Sequence, residues 1–413
     1  MNGIRGNVIV GQSGGPTAVI NSSLAGVFKT AKDRGANKVY GMLHGIQGLL
    51  QERYVDLDDH IKNDLDIELL KRTPSAYLGS CRFKLPEIHE NPEIYEKIFS
   101  IMNKLEIEVF IYIGGNDSMD TIKKLSDYAI LTGQSQKFVG VPKTIDNDLA
   151  LTDHTPGYGS AAKYIATSTK EVIRDGLGFS YKKQQVIIIE IMGRNAGWLT
   201  GAAALSRGED CDGPDLIYLP EVAFSKEQFL ADVKDKLTKQ KTVIVAVSEG
   251  IHDADGNYIS SDSAVADKFG HAQLSGAGKA LEYLVRDEIG VKVRSIELNV
   301  LQRCAGHIAS RTDITESFSL GQAAVKYAAE GKTGIMAAIE RISNDPYQWV
   351  IKSADVADIA NEAKSVPVEW INEAGNDVTD EMIDYLRPLI IGEVSLQYKD
   401  GLPVYLPVDH LLH

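Results

Sequence analysis

Val109-Phe110-Ile111-Tyr112-Ile113-Gly114-Gly115-Asn116-Asp117-Ser118 is an apolar run that opens, with no spacer, into two glycines and a polar triad. A second stretch repeats the design. Phe138-Val139-Gly140-Val141 leads into Pro142-Lys143-Thr144-Ile145-Asp146-Asn147-Asp148. Runs that are apolar throughout, not alternating, read as strands covered on both faces of a parallel sheet. Ligands of such sheets sit beyond the carboxyl ends of the strands, where both polar turns fall.

Outward from these two stretches, similar runs recur at Asn7–Val10, Lys38–Gly41, Gln185–Ile191, Asp215–Leu219, Thr242–Val247 and Val293–Leu298. Between them, Ala18–Arg34, Glu93–Leu105, Ser160–Leu177 and Gly278–Glu288 carry apolar residues at helical spacing. Strand–helix alternation predicts an α/β protein with mainly parallel sheets and right-handed crossovers. A chain of 413 residues can bury a large core divided between two domains. The loop Asp148–Gly159 marks a boundary near residue 150, and from about residue 345 the chain reads as an appended cap.

An apolar fraction of 44% and a charged fraction of 24% belong to an ordinary soluble globular protein. The net charge of −14 would repel nucleic-acid phosphates, although local cations can still hold a small anion. No apolar run approaches the roughly 18 residues of a membrane span. The N-terminus lacks the pattern of a signal peptide, and three widely spaced cysteines, Cys81, Cys211 and Cys304, fit a reducing compartment. A cytoplasmic location is therefore expected.

Paired glycines after a strand present backbone N–H groups in an anion-binding concavity. Gly114, Gly115 and Ser118 are candidates for that role, though Asp117 or Ser118 could instead cap a helix. Gly11-Gln12-Ser13-Gly14-Gly15-Pro16 has the same form but lacks dinucleotide-binding spacing. In the second turn, Asp146 can take a proton from an alcohol, Thr144 can donate to a phosphate oxygen, and Lys143 brings a cation. Asp148 can orient magnesium directly or through water. The alternative is an Asx-rich turn. Further strand ends carry Met192-Gly193-Arg194, Ser248-Glu249-Gly250 and Arg303, with Arg294 near the start of its strand. Together these residues describe a site for phosphoryl transfer.

Two matches fail. Ser275-Gly276-Ala277-Gly278-Lys279 resembles part of a Walker loop, but Gln273 and Ala280 replace its first glycine and its magnesium-binding hydroxyl. Asp253-Ala254-Asp255-Gly256-Asn257 resembles a calcium loop with its glycine too early, and reads as a hairpin turn.

The Pro142–Asp148, Met192–Trp198, Ser248–Gly250 and Leu301–Arg303 segments together are similar to the phosphofructokinase family, over about residues 7 to 320. The resemblance implies two similar Rossmann-like domains with the active site in the cleft between them, and phosphorylation of fructose 6-phosphate at its 1-hydroxyl. Residues 1–150, completed by about 304–345, would bind the phosphoryl donor. Residues 151–303 would bind the sugar phosphate, and 346–413 would form a C-terminal extension packed on the core. The implied catalytic set is Asp117, Lys143, Thr144 and Asp146, with Asp146 as base. Gly14, Gly15, Arg82, Met192, Gly193, Arg194, Glu249, Arg294 and Arg303 would touch substrate. Gly11, Gly15, Gly114, Gly115, Ser118 and Lys143 would face the donor. Asp117, Asn116 and Asp148 would serve Mg²⁺. Arg294 matches an arginine that the family donates across a subunit interface, so a homodimer or homotetramer is implied.

ATP-using members resemble Gly-Gly-Asp-Gly-Ser and Pro-Gly-Thr-Ile-Asp at the two turns. Asp117 and Lys143 stand here in place of two of those glycines, as in the pyrophosphate-dependent branch. Two charged side chains would fill the nucleoside space, and burying them unpaired would cost on the order of several kcal/mol each. Pyrophosphate is then the expected donor. An ATP-dependent kinase of the same fold, a kinase for another sugar phosphate and a noncatalytic ligand-sensing subunit are the other readings.

Overall fold

The computed structural model describes residues 3–179, 182–260, 276–359 and 363–408. Among the described residues, eleven strands build the two large sheets, and Tyr398–Lys399 pairs with Leu402–Pro403 in a separate short hairpin. β1 (Asn7–Gln12), β2 (Val39–Met42), β3 (Tyr54–Asp56), β4 (Ile107–Gly114) and β5 (Lys137–Pro142) belong to the first. β6 (Gln185–Ile191), β7 (Leu216–Tyr218), β8 (Thr242–Ser248) and β9 (Lys292–Glu297) form the second, in the order β7-β8-β6-β9, all parallel. The chain then returns through β10 (Ile335–Asn344) and β11 (Tyr347–Asp355) to the first sheet, whose order is β11-β10-β5-β4-β1-β2-β3. Only its edge strands, β3 and β11, run antiparallel to their neighbours. The fold is α/β, with two Rossmann-like sheets.

Both sheets are covered on two faces, as continuous apolar strands require. In the first, Val8, Val10, Ile111 and Val139 enter one core cluster, while Ile9, Phe110, Tyr112 and Phe138 enter another. In the second, Ile187, Ile189 and Ala246 face one cluster and Val186, Ile188 and Val245 the other.

The tail is woven into both halves. Tyr347–Asp355, read from sequence as the start of an extension, pairs along β10 as an edge strand of the first sheet. The helix Asp380–Leu386 places Met382, Tyr385 and Leu386 in the core of the second, and Leu406 returns to the core of the first.

The Walker-like stretch is a helix start of another kind. The buried Glu190 carboxylate accepts from the N–H groups of Gly276 and Gly278 at 3.1 and 2.7 Å. An acidic side chain of the chain itself therefore occupies the helix N-terminus, while Gln273 and Ser275 lie outside the described residues. Asp253–Asn257 is a turn, closed by Asp253 N–H to Asn257 O at 2.9 Å and a bridge between His252 and Tyr258.

Candidate active site

Parallel pairing of β4 with β5 ends at Gly114 opposite Pro142, so the two informative turns emerge side by side. The Lys143 N–H donates to Gly114 O at 3.0 Å and locks them together. Gly114 is required: a Cβ there would collide with the buried Ser118 side chain. Gly115 then starts the helix Asn116–Thr132, its carbonyl accepting from Ser118 N–H at 3.0 Å. Asp117 is exposed on the first turn of this helix. The Asn116 Oδ1 is buried with no hydrogen-bond partner.

The first glycine turn faces the same cluster. Gly14 has φ +76°, and a Cβ on it would lie 2.9 Å from Lys143 Nζ. A Cβ on Gly15 would lie 3.4 Å from an Arg303 guanidinium nitrogen. Lys143 is buried, and its Nζ donates to Gly15 O at 2.8 Å. The Gly14 N–H is already used, by Cys81 O at 3.0 Å, so this loop offers fewer free amides than its glycines imply. Gly11 lies within β1, where a Cβ would press on Met42 and the Tyr112 ring, a packing reason for its glycine.

Asp146 opens to solvent at the floor of a protein-walled cleft. Its N–H donates to Thr144 Oγ1 at 3.0 Å, and that hydroxyl lies 3.3 Å from its own Oδ2. Desolvation raises the Asp146 pKa, while Lys143, the Thr144 hydroxyl, Arg303 and Arg194 oppose the rise. Burial, and next the Asp146 charge, push Asp148 up to about 6. Burial also pulls Lys143 down to about 8. Asp146 and Asp148 resist this, and Arg303 and Arg82 add to it.

The second sheet supplies the opposite wall. Ile191 of β6 pairs with Ser248 of β8, so Met192 and Glu249 leave adjacent strand ends. Gly193 adopts φ +140°, its N–H donates to Glu249 Oε1 at 3.4 Å, and Ser248 Oγ donates to its carbonyl. Met192 N–H donates to Gln302 Oε1 at 3.3 Å, tying this loop to the turn that carries Arg303. Burial, reinforced by Asp146 and Glu190, lifts Glu249 to about 7. Arg194 acts on both Asp146 and Glu249.

Asp146 is thus ringed by Lys143 from one half of the molecule and by Arg194 and Arg303 from the other. The structure brings Gly14, Gly15, Lys143, Thr144, Asp146, Asp148, Arg194, Glu249 and Arg303 to one cleft. Arg294 is not among them: it is exposed in mid-β9, an edge strand, beside Asp175, Phe179 and Lys292. Gln302, only 2% exposed, belongs to the Leu301–Arg303 segment that carries the resemblance but had no role assigned from the sequence. Asn147, buried inside the Lys143–Asp148 turn, had no signal beyond lying in it.

Among the described residues no three His, Cys, Asp or Glu side chains converge into a metal cage. Oxygen donors at the cleft include the Asp146, Asp148 and Glu249 carboxylates and the Thr144 hydroxyl, and Asn116 Oδ1 is an orphaned buried acceptor on the neighbouring helix turn. That set fits a hard cation that keeps several waters and shares substrate oxygens.

Residues 7–328 match the family model for phosphofructokinase. The chain belongs to the phosphofructokinase family. It is 40% identical over 408 residues to a pyrophosphate–fructose 6-phosphate 1-phosphotransferase of Xanthomonas campestris, covering 98% of this chain and 97% of that one. A protein of the same name from Halomonas elongata is 39% identical over 399 residues, covering 96% and 94%. The crystal structure of a pyrophosphate-dependent phosphofructokinase from Nitrosospira multiformis superposes with a TM-score of 0.89 at 39% identity, covering 98% and 96%. In this phosphofructokinase no described helix is long and apolar enough to cross a membrane.

Proposed function

We propose that this phosphofructokinase transfers a phosphoryl group from pyrophosphate to the 1-hydroxyl of fructose 6-phosphate, giving fructose 1,6-bisphosphate and phosphate, reversibly. Lys143 carries the reading. Its ammonium is buried against the first glycine turn, at a position where the pattern of ATP-using members has glycine. With a pKa of about 8 it remains mainly cationic at neutral pH, as a site for a compact, highly charged donor requires. Full-length likeness to proteins named for that reaction supports the same donor and acceptor.

Asp146 accepts the proton of the attacking hydroxyl; burial raises its pKa, and Lys143, the Thr144 hydroxyl, Arg303 and Arg194 oppose that rise. Thr144 orients that carboxylate. Lys143 and the Gly14–Gly15 turn receive the pyrophosphate, with Arg82 near Lys143. Arg194 and Arg303 neutralise phosphate charge, and Met192, Gly193 and Glu249 hold the sugar. Mg²⁺, held by Asp148 together with water and substrate oxygens, with Asn116 Oδ1 as a further oxygen donor on the adjoining turn, would neutralise charge on the phosphate oxygens. Phosphoryl transfer depends chiefly on such positioning and charge neutralisation, so a donor lacking adenine loses nothing chemically. Arg294, exposed on an edge strand away from its own cleft, is assigned to the site of a second copy, which makes the working unit a homo-oligomer.

The test is direct. Purified protein with Mg²⁺, pyrophosphate and fructose 6-phosphate is expected to form fructose 1,6-bisphosphate, and with bisphosphate and phosphate to regenerate pyrophosphate. Absence of both products would contradict the proposal.

A further inference from the structure

The loop that carries Asp146 and Asp148 is held from a distance of more than two hundred residues along the chain. Asn147, between the two carboxylates, is fully buried and has φ 55°, a left-handed conformation that non-glycine residues seldom adopt. Its Oδ1 accepts from Thr155 N–H at 3.0 Å, and Thr155 Oγ1 donates to Thr144 O at 2.6 Å. Its Nδ2 donates to the Tyr385 hydroxyl at 2.9 Å. That hydroxyl in turn donates to Asp153 O at 2.7 Å and accepts from Lys364 Nζ at 3.2 Å. One phenol therefore gives one hydrogen bond and accepts two, which uses its full capacity.

The same tail segment grips the loop by its backbone. Lys364 N–H donates to Asp148 O at 2.9 Å, and Leu149 bridges Ala363. It also reaches the sugar-side loop, since Trp198 Nε1 donates to Lys364 O at 2.9 Å and its ring lies 5.3 Å from that of Tyr385. From the first sheet, Arg341 stacks on Tyr385 at 4.5 Å and donates to its carbonyl at 2.9 Å. We infer that Tyr385 is a positioning residue. Its hydroxyl fixes Asn147 in the left-handed turn, and so sets where the two neighbouring carboxylates point. The inference rests on the assignment of Asp146 as base.

Tyr385→Phe keeps the ring and deletes the hydroxyl. Displacing a catalytic group by about 1 Å can cost about 100-fold in rate, so kcat is expected to fall about 10- to 100-fold. KM for both substrates should change less than about threefold, because the phosphate-binding cations are untouched. Asn147→Ala should show a similar loss, and the double variant should lose no more than the worse single one, as members of one interaction do. Circular dichroism and thermal unfolding would be read alongside, with rates measured below the transition. A lowered melting temperature with unchanged kcat, or losses that multiply in the double variant, would overturn the inference. Asp146→Asn, assayed in parallel, separates the two readings. If it keeps full rate, the assignment of the base falls and this inference with it. If it loses activity while Tyr385→Phe does not, only the positioning role falls.

Discussion

Lys143 has to stay protonated for the account to hold, and its burial makes that demand visible in the pH profile. In the free enzyme its pKa lies near 8, lowered chiefly by desolvation. The value of kcat/KM for pyrophosphate should therefore fall above about pH 8 as the cation is lost, since this quantity reports free-enzyme ionisations. A profile level to pH 10 would contradict the role. Asp146→Asn should lower kcat by about 10²- to 10⁴-fold, the usual worth of a positioned base, with thermal unfolding unchanged. At this scale the sequence was informative because a strand end admits few roles for Lys-Thr-Ile-Asp. Two residues show where it fell short. Asp117 and Lys143 look equivalent as charges replacing glycines, yet Lys143 turns inward to Gly15 O while Asp117 points to solvent from a helix turn. Side-chain direction depends on the neighbouring turn, which no local pattern encodes. Asn147 and Tyr385, 238 residues apart, meet only through the fold.

Among elements, the helices Ile20–Asp33 and Arg311–Ala329 pack backbone against backbone. A Cβ on Gly26 would strike the Phe318 carbonyl, and one on Gly321 would strike the Ser23 carbonyl. Overpacking of this kind costs about 1–3 kcal/mol, so Gly26→Ala should lower the midpoint of chemical unfolding, and an unchanged midpoint would argue against this contact. Strands covered on both faces were legible because they read as unbroken apolar runs. β10 and β11 were not, for a physical reason. The later part of β10 and nearly all of β11 alternate between partly buried and exposed positions, the pattern of an edge hairpin with one wet face. A search for continuous runs passes over that pattern, and the tail consequently read as an appendage.

In the whole molecule, a buried charge network ties the loop after Asp148 to the helix Arg311–Ala329 and to the first sheet. His154 lies 2.7 Å from both Asp153 Oδ2 and Glu316 Oε2, Arg341 pairs with Asp153 at 2.8 Å, and Tyr347 donates to Glu316 at 2.6 Å. Burial alone would depress His154, but the Glu316 and Asp153 carboxylates outweigh it and hold its pKa at about 9. The folded value stands above the unfolded one, so its contribution is complete below about pH 6.5 and is lost as pH rises through about 9. One proton corresponds to a slope of at most about 1.4 kcal/mol per pH unit across that window. His154→Gln should flatten this part of the stability–pH curve, and a variant with the parent slope would remove the network as its cause. Assembly belongs to the same scale. Sedimentation should find a homo-oligomer, and Arg294→Ala should raise KM for fructose 6-phosphate if that residue serves a second copy's cleft. A monomer with full activity would exclude this arrangement.

The most direct test of the central claim is a comparison of phosphoryl donors. With Mg²⁺ and saturating fructose 6-phosphate, kcat/KM is measured for pyrophosphate and for ATP on the same preparation. The inward-turned lysine predicts turnover with pyrophosphate at least about 100-fold better than with ATP, about 2.7 kcal/mol in transition-state terms. Equal use of the two donors would show that the cleft admits a nucleoside and that Lys143 does not close it.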